Sequence, residues 1–313
     1  MRIFEEPFPP RISSGSVVSI GKYDGVHIGH RAVLGAAVAK ARELGLESIV
    51  VTFHRNPHEV IRPYSAPKRL LSLSTRLERL AETGLDTAVV LRFDEARAAE
   101  SAEEFVRELL AAQLSARVVC VGSDFRFGHR GEGDVEVLRR LGEQHGFEVV
   151  ELDLVGTATE PRASSTRIRE LILAGDVSGA AELLGAPPVV VGVVVHGESR
   201  GRELGFPTAN LELGEFDVVP ADGVYAGWAT ADGRRHPAAI SVSDNPTFGD
   251  VADRRVEAHL LDADLDLYGH RIAVEFVERL RGIERFDGVE ALIDAMRADV
   301  VRTREILGAP PAE

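Results

Sequence analysis

Between Val17 and Leu152, five short β-branched runs alternate with stretches of helical periodicity, a pattern best satisfied by a parallel sheet with helices on its faces. The runs are Val17–Ile20, Ser48–Phe53, Thr87–Leu91, Val118–Val121 and Val149–Leu152. The helical patterns cover about His30–Glu43, Ser74–Thr83, Ala102–Leu114 and Val135–His145, with Gly45, Gly84 and Gly146 standing where helices stop. Two further patterns, Thr166–Ala174 and Val177–Leu184, lead into Gly185-Ala186-Pro187-Pro188, a cluster that marks a domain boundary. Beyond it the texture changes. Val189–Val195, Val224–Thr230, Ala238–Val242, Val256–Leu261 and Ile272–Leu280 read as strands joined by Gly-, Asp- and Pro-rich turns, which predicts a small antiparallel sheet or barrel. Val289–Ile306 then carries Val289, Leu292, Ile293, Met296, Val300 and Val301 at helical spacing, predicting a closing helix packed on the barrel. The expected fold class is α/β, with a doubly wound, Rossmann-like domain over residues 1–186 and a small antiparallel β-barrel with a C-terminal helix over 187–313.

Composition narrows the function classes. The 313 residues are 44% hydrophobic, enough for two cores without covalent staples. Cys120 is the single cysteine, no charged segment followed by a long apolar run opens the chain, and no run approaches the 18 apolar residues of a membrane span. A cytoplasmic protein with no membrane partner is expected. The net charge is −14, and 13 basic against 23 acidic residues follow Ala186, so nucleic acid is not expected as a partner. Lys22, Lys40 and Lys68 are the only lysines, and Gly15 to Gly21-Lys22 fails as a P-loop, having five intervening residues and then Tyr23 in place of Ser or Thr.

The first candidate site is Gly21-Lys22-Tyr23-Asp24-Gly25-Val26-His27-Ile28-Gly29-His30, which follows the first expected strand and opens the first helix. Ligands of doubly wound sheets bind at this edge. His27 and His30 are three apart and point to one side of a helix start, where N–H groups favour an anion and Gly29 allows close approach. Two imidazoles so placed can stabilise charge developing on an α-phosphate during in-line attack. The same spacing by itself also fits a capped helix start or part of a metal site. Asn56, within Thr52-Phe53-His54-Arg55-Asn56-Pro57-His58, and Asp124 to Phe127, within Asp124-Phe125-Arg126-Phe127-Gly128, fall at the same sheet edge. Ser164-Ser165-Thr166-Arg167-Ile168-Arg169 begins a helix and offers hydroxyls and cations to a triphosphate, or equally a plain N-cap with a solvated Arg face.

The second candidate site is the string His196 to Asn210, whose Gly197, Gly201 and Gly205 suit a phosphate-wrapping loop. If Thr208 to Asn210 is extended, the Thr208 hydroxyl and the Asn210 amide oxygen project to one side and fit magnesium. In Arg255-Val256-Glu257-Ala258-His259-Leu260 the alternation puts Glu257 opposite the apolar face, where a carboxylate near bound nucleotide could take the proton of an attacking hydroxyl. A turn-rich hairpin and an ordinary exposed glutamate remain open readings at this point.

Gly-x-x-Asp-Gly-Val-His-x-Gly-His, Asp-Phe-x-Phe-Gly and Ser-Ser-Thr-x-x-Arg together resemble the flavin-nucleotide branch of the nucleotidyltransferase superfamily, and Gly-Arg-x-Leu-Gly-Phe-Pro-Thr-Ala-Asn, Asp-Gly-Val-Tyr-Ala, Asn-Pro-Thr-Phe-Gly, Glu-x-His-Leu-Leu-Asp and Asp-Leu-Tyr-Gly resemble riboflavin kinase. Over nearly its whole length the chain is similar to the bacterial bifunctional riboflavin kinase/FMN adenylyltransferase family. The resemblance implies phosphorylation of riboflavin to FMN, then transfer of AMP from ATP to FMN. ATP is then a co-substrate, Mg²⁺ serves both steps, FAD is a product, and riboflavin, FMN and ATP are the partners. Carried over, Gly21, Asp24, Gly29, His27 and His30 belong to the ATP phosphates, and Ser164, Ser165, Thr166 and Arg169 to the triphosphate. Asn56, Asp124, Phe125 and Phe127 lie near nucleotide or flavin, Gly201 and Gly205 form the kinase phosphate loop, Thr208 and Asn210 hold Mg-ATP, and Glu257 is the base. Lys22 and Tyr23 stand where members often have Asn and Phe, and Asn245 where many have Arg. Two other readings are a nucleotidyltransferase for another phosphate monoester and a flavin-binding protein with degenerate sites.

Overall fold

The computed structural model describes all residues except 10, 153–162, 198–200, 202–203, 246–252, 264 and 310–313. Ser199, Arg200, Arg202 and the turn 246–249 of the kinase-like motifs lie outside the described residues, as does the side chain of Asn245. The chain divides into two compact units, Met1–Ser164 and Ser165–Glu313.

In the first unit β1 (Arg2–Glu5), β2 (Ser16–Ile20), β3 (Glu47–Phe53), β4 (Thr87–Leu91), β5 (Ala116–Gly122) and β6 (Glu148–Leu152) form one parallel sheet in the order β1-β4-β3-β2-β5-β6. The five expected strands are all present. β1 was not expected; it is an exposed edge strand of four residues held by its register on β4, with Ile3 opposite Ala88. Side chains alternate between the two faces. Val18, Ile49, Val89 and Val119 pack with Phe105, Leu110 and Leu138, while Val17, Val118 and Cys120 pack against Ala37 and Ala41 of the first helix.

The helices are α1 (Ile28–Leu44), α2 (His58–Ile61), α3 (Leu73–Ala81), α4 (Glu95–Ala99), α5 (Ala102–Phe105), which continues as a π-helical stretch over Val106–Gln113, and α6 (Val135–His145). α2 and α4 are too short to carry a legible helical period. Chain direction across the sheet reverses at β2, with β3 and β4 on one side and β5 and β6 on the other. The crevice beyond the carboxyl ends of β2 and β5 is therefore the topological switch point, where such sheets bind ligands.

The second unit opens with α7 (Ser165–Ala174) and α8 (Val177–Leu184), followed by β7 (Val189–Val195), β8 (Ala209–Glu212), β9 (Gly223–Ala231), β10 (Arg234–Asn245), β11 (Asp253–Leu260) and β12 (Arg271–Arg281) in a closed antiparallel barrel, β10-β11-β8-β7-β12-β9, and then α9 (Val289–Leu307). The division between the compact units falls before the Gly/Pro cluster, because α7 and α8 fold with the barrel. Ala221 N–H donates to Ile172 O at 3.3 Å, and Val177 joins the barrel core beside Tyr225, Ile240, Val274 and Phe276. A β-carbon on Gly227 would lie 1.9 Å from Glu275 O, so the close approach of β9 to β12 requires glycine there.

α9 packs on the barrel as expected, with Leu292, Ile293, Met296 and Val300 of its apolar stripe half-buried. Val289 and Val301 are exposed, and the buried residues of the helix are Asp299 and Thr303. The Arg281 guanidinium donates to both Asp299 oxygens, Nη2 to Oδ2 at 2.7 Å and Nε to Oδ1 at 3.0 Å, so a bidentate ion pair between β12 and α9 adds to the packing of the apolar stripe.

Candidate active sites

The turn after β2 holds a strained backbone. Tyr23 and Val26 have φ of 49° and 44°, a left-handed conformation that costs a β-branched residue about 1–3 kcal/mol and persists only when its surroundings enforce it. Four anchors do so. The buried Tyr23 hydroxyl bonds Ser19 Oγ at 2.7 Å, and Ser19 Oγ donates to Cys120 O at 2.9 Å. Leu70 N–H donates to the buried Asp24 Oδ1 at 2.9 Å. Thr52 Oγ1 donates to Lys22 O at 3.3 Å. Arg76, itself buried, donates from Nη1 to Lys22 O at 3.2 Å and from Nη2 to Phe53 O, tying the turn to the end of β3.

His27 is the N-cap of α1: its Nδ1 accepts the His30 backbone N–H at 3.3 Å. The neutral ring therefore carries its proton on Nε2. The two imidazoles stack with centroids 3.6 Å apart and planes 18° apart, and Tyr23 meets His30 edge-on at 5.2 Å. Burial pushes the His27 pKa down to about 4, against the opposing charges of Asp24 and Asp124. Burial also holds His30 well below the usual imidazole range, helped by His27 and Lys22. Near neutral pH the pair offers N–H donors without positive charge. His30 Nδ1 is buried with no hydrogen-bond partner among the described residues.

Other expected residues distribute unevenly. A β-carbon on Gly29 would sit 3.2 Å from His27 Cε1 and 3.8 Å from Ala163 O, so Ala163, next to Ser164, lies beside the turn. Ser165, Thr166 and Arg169 lie on the opening turns of α7, in the second compact unit. Asn56 is buried and spends its Oδ1 on the His58 N–H, at 3.2 Å, starting α2. Asp124 is exposed beyond β5, close enough to His27 to act on its titration. Phe125 and Phe127 stack at 5.3 Å, but Phe127 is buried against Phe105, leaving Phe125 as the half-exposed ring.

In the barrel, Glu257 on β11 is the cross-strand partner of Asn210 on β8, so both side chains leave the same face. Asn210 is buried, its Oδ1 has no partner among the described residues, and a β-carbon on Gly197 would lie 2.4 Å from its Nδ2. Arg255 Nη1 stands 3.6 Å from Glu257 Oε1. Thr208 immediately precedes β8. Gly201 O accepts the N–H groups of Leu204 at 3.2 Å and Phe206 at 2.8 Å, and Gly205 has φ of 86°, which closes a tight turn before Pro207.

Residues 10–167 match the family model of FAD synthetase, and residues 184–307 match that of riboflavin kinase. The bifunctional riboflavin kinase/FMN adenylyltransferase of Escherichia coli (strain K12) is 36% identical over 301 residues, covering 94% of this chain and 93% of that protein. Its counterpart in Pseudomonas fluorescens is 39% identical over 303 residues, covering 95% and 94%. The chain belongs to the bifunctional riboflavin kinase/FMN adenylyltransferase family. A solved structure from Streptococcus pneumoniae, described as a macrolide-efflux protein, aligns with a TM-score of 0.85 at 32% identity, covering 97% of this chain and 99% of that one. Among the described residues no helix is long and apolar enough to cross a membrane.

One residue that matters to the turn stands outside the sequence motifs of the first unit. Arg76 lies on the face of α3 that also carries the buried Leu77 and Leu80. An arginine in register with an apolar stripe is the signal that could have found it, since a buried guanidinium needs acceptors close by.

Proposed function

We propose that the two reactions of the family are divided between the sites just described, with adenylyl transfer assigned to residues 1–186 and kinase activity to residues 187–313. The chain phosphorylates riboflavin to FMN with ATP and then joins AMP from a second ATP to FMN, giving FAD and pyrophosphate.

In the kinase step the Glu257 carboxylate takes the proton of the riboflavin 5′-hydroxyl as that oxygen attacks the γ-phosphorus, and the bond to the departing ADP oxygen breaks. In the adenylyl step an FMN phosphate oxygen attacks the α-phosphorus of ATP and pyrophosphate leaves. His27 and His30, kept neutral by burial, donate N–H groups to the oxygens on which charge develops. Ser164, Ser165, Thr166 and Arg169 are assigned to the triphosphate, Gly21, Asp24 and Gly29 to the turn that receives it, and Asn56, Asp124 and Phe125 to the nucleotide or flavin side. Phe127 supports Phe125 from the core.

Magnesium suits the chemistry of the barrel site: the buried Asn210 Oδ1, without a partner among the described residues, the Glu257 carboxylate across from it and the Thr208 hydroxyl two residues before it are all oxygen donors. Among the described residues no three His, Cys, Asp or Glu cluster as a cage, so the protein would supply few ligands and the ATP phosphates the others. When bound, the ion neutralises charge on those phosphates. The use of ATP in both steps supports a cytoplasmic location.

The pairing of Glu257 with Asn210 carries the kinase assignment. The test is to incubate the chain with riboflavin, ATP and Mg²⁺ and resolve riboflavin, FMN and FAD by chromatography over time. FMN that forms and then converts to FAD is expected. FMN that accumulates without FAD would remove the adenylyl assignment, and no flavin phosphate at all would remove both.

A further inference from the structure

Pro207 has no N–H and so cannot donate to the β8–β11 ladder, whose last pair toward it is Ala209 with Ala258. A side chain takes over at that point. The Pro207 carbonyl is bonded to His259 Nδ1 at 2.8 Å, and the Phe206 ring meets the same imidazole at 5.5 Å and 70°. His259 is two residues from Glu257 on β11 and so shares its face. Phe206 N–H in turn donates to Gly201 O at 2.8 Å. One imidazole on the strand of the carboxylate thus pins the place where the glycine turn enters Thr208 and Asn210.

We propose that His259 is a positioning residue of the kinase reaction, holding Phe206 and Pro207 so that the following Thr208 leads into Asn210 opposite Glu257; this rests on the reading of the barrel as the kinase site. A carbonyl only accepts, so Nδ1 is the donor of this bond. His259 acts as a fixed donor and not as an acid or base.

The test compares the full chain with His259→Ala and with His259→Asn, whose side-chain amide can replace the Nδ1 donor. Without substrates, hydrogen exchange at the Phe206 amide is expected to quicken about tenfold in the alanine variant, the scale of one lost hydrogen bond, and to stay near wild type in the asparagine variant. In FMN formation, the KM for Mg-ATP is expected to rise about tenfold in the alanine variant, with a smaller change in kcat, and to recover to within about threefold in the asparagine variant. Adenylyl transfer to supplied FMN and the pH profile of kcat/KM for the kinase should keep their wild-type form in both. Unchanged exchange in the alanine variant, asparagine no better than alanine, or a shifted acid limb overturns the proposal. If the exchange pattern holds while even the wild-type chain forms no FMN, the anchor stands and the kinase reading falls.

Discussion

Glu257 and Asn210 are direct partners across two antiparallel strands, and the amide oxygen of Asn210 is buried without a partner among the described residues. A carboxylate and an unsatisfied acceptor on one face make an electronegative notch, stable when a cation or a donor fills it. Glu257→Gln keeps the shape and removes the base. FMN formation should fall by roughly 10²–10⁴ fold, the range for losing general base catalysis, while adenylyl transfer to supplied FMN persists. Chromatographic rates for each half-reaction decide it, and unchanged FMN formation would refute the base assignment.

The stacked imidazoles predict the reverse pattern. His30→Ala removes one N–H donor from the turn and should lower FAD formation from FMN by about 10²–10³ fold, as for deleting one oxyanion donor. Riboflavin phosphorylation by the same preparation should be unaffected. Equal loss of both activities would show that the substitution acts on folding and not on the site.

The cap on α1 links protonation to stability. His27 titrates at about 4 in the folded chain and at the usual 6.5 when unfolded, so between these values the unfolded chain binds more protons. The contribution is complete above 6.5 and is lost as the pH falls toward 4, where protonation of Nδ1 also breaks the cap bond to His30 N–H. His27→Asn retains a good N-cap acceptor and cannot titrate. Urea unfolding at several pH values between 7 and 4.5 should show wild type losing stability more steeply toward acid than this variant; parallel slopes would exclude His27 as the source.

Arg76 couples the turn to β3 through the carbonyls of Lys22 and Phe53. Arg76→Met retains much of the side-chain volume and leaves those buried acceptors short of a donor, at a cost of about 2 kcal/mol or more. A lower urea midpoint is expected, together with reduced adenylyl transfer and intact kinase activity at temperatures where the variant is folded. Full adenylyl activity would mean that the remaining anchors suffice to hold Tyr23 and Val26 in their left-handed conformation.

Much of this architecture was legible in the chain. Runs such as Thr87–Leu91 and Val189–Val195 declare themselves because strands inside a parallel sheet or a small barrel need apolar, β-branched residues at close intervals. The His27 and His30 turn, Thr208, Asn210 and Glu257 could likewise be placed by motif and by strand or helix spacing. What could not be read locally depends on partners far away in sequence. β1 is a strand only because β4 offers it an edge, and Asp299 is buried in α9 because Arg281 waits on β12. The protonation of the imidazole pair, the burial of Phe127 and of Arg76, and the hold of His259 on Pro207 arise in the same way. Local sequence sets periodicity and chemistry; burial and the pairing of polar atoms are set by whichever distant segments close over them, and these decided how the motif residues are charged, oriented and held.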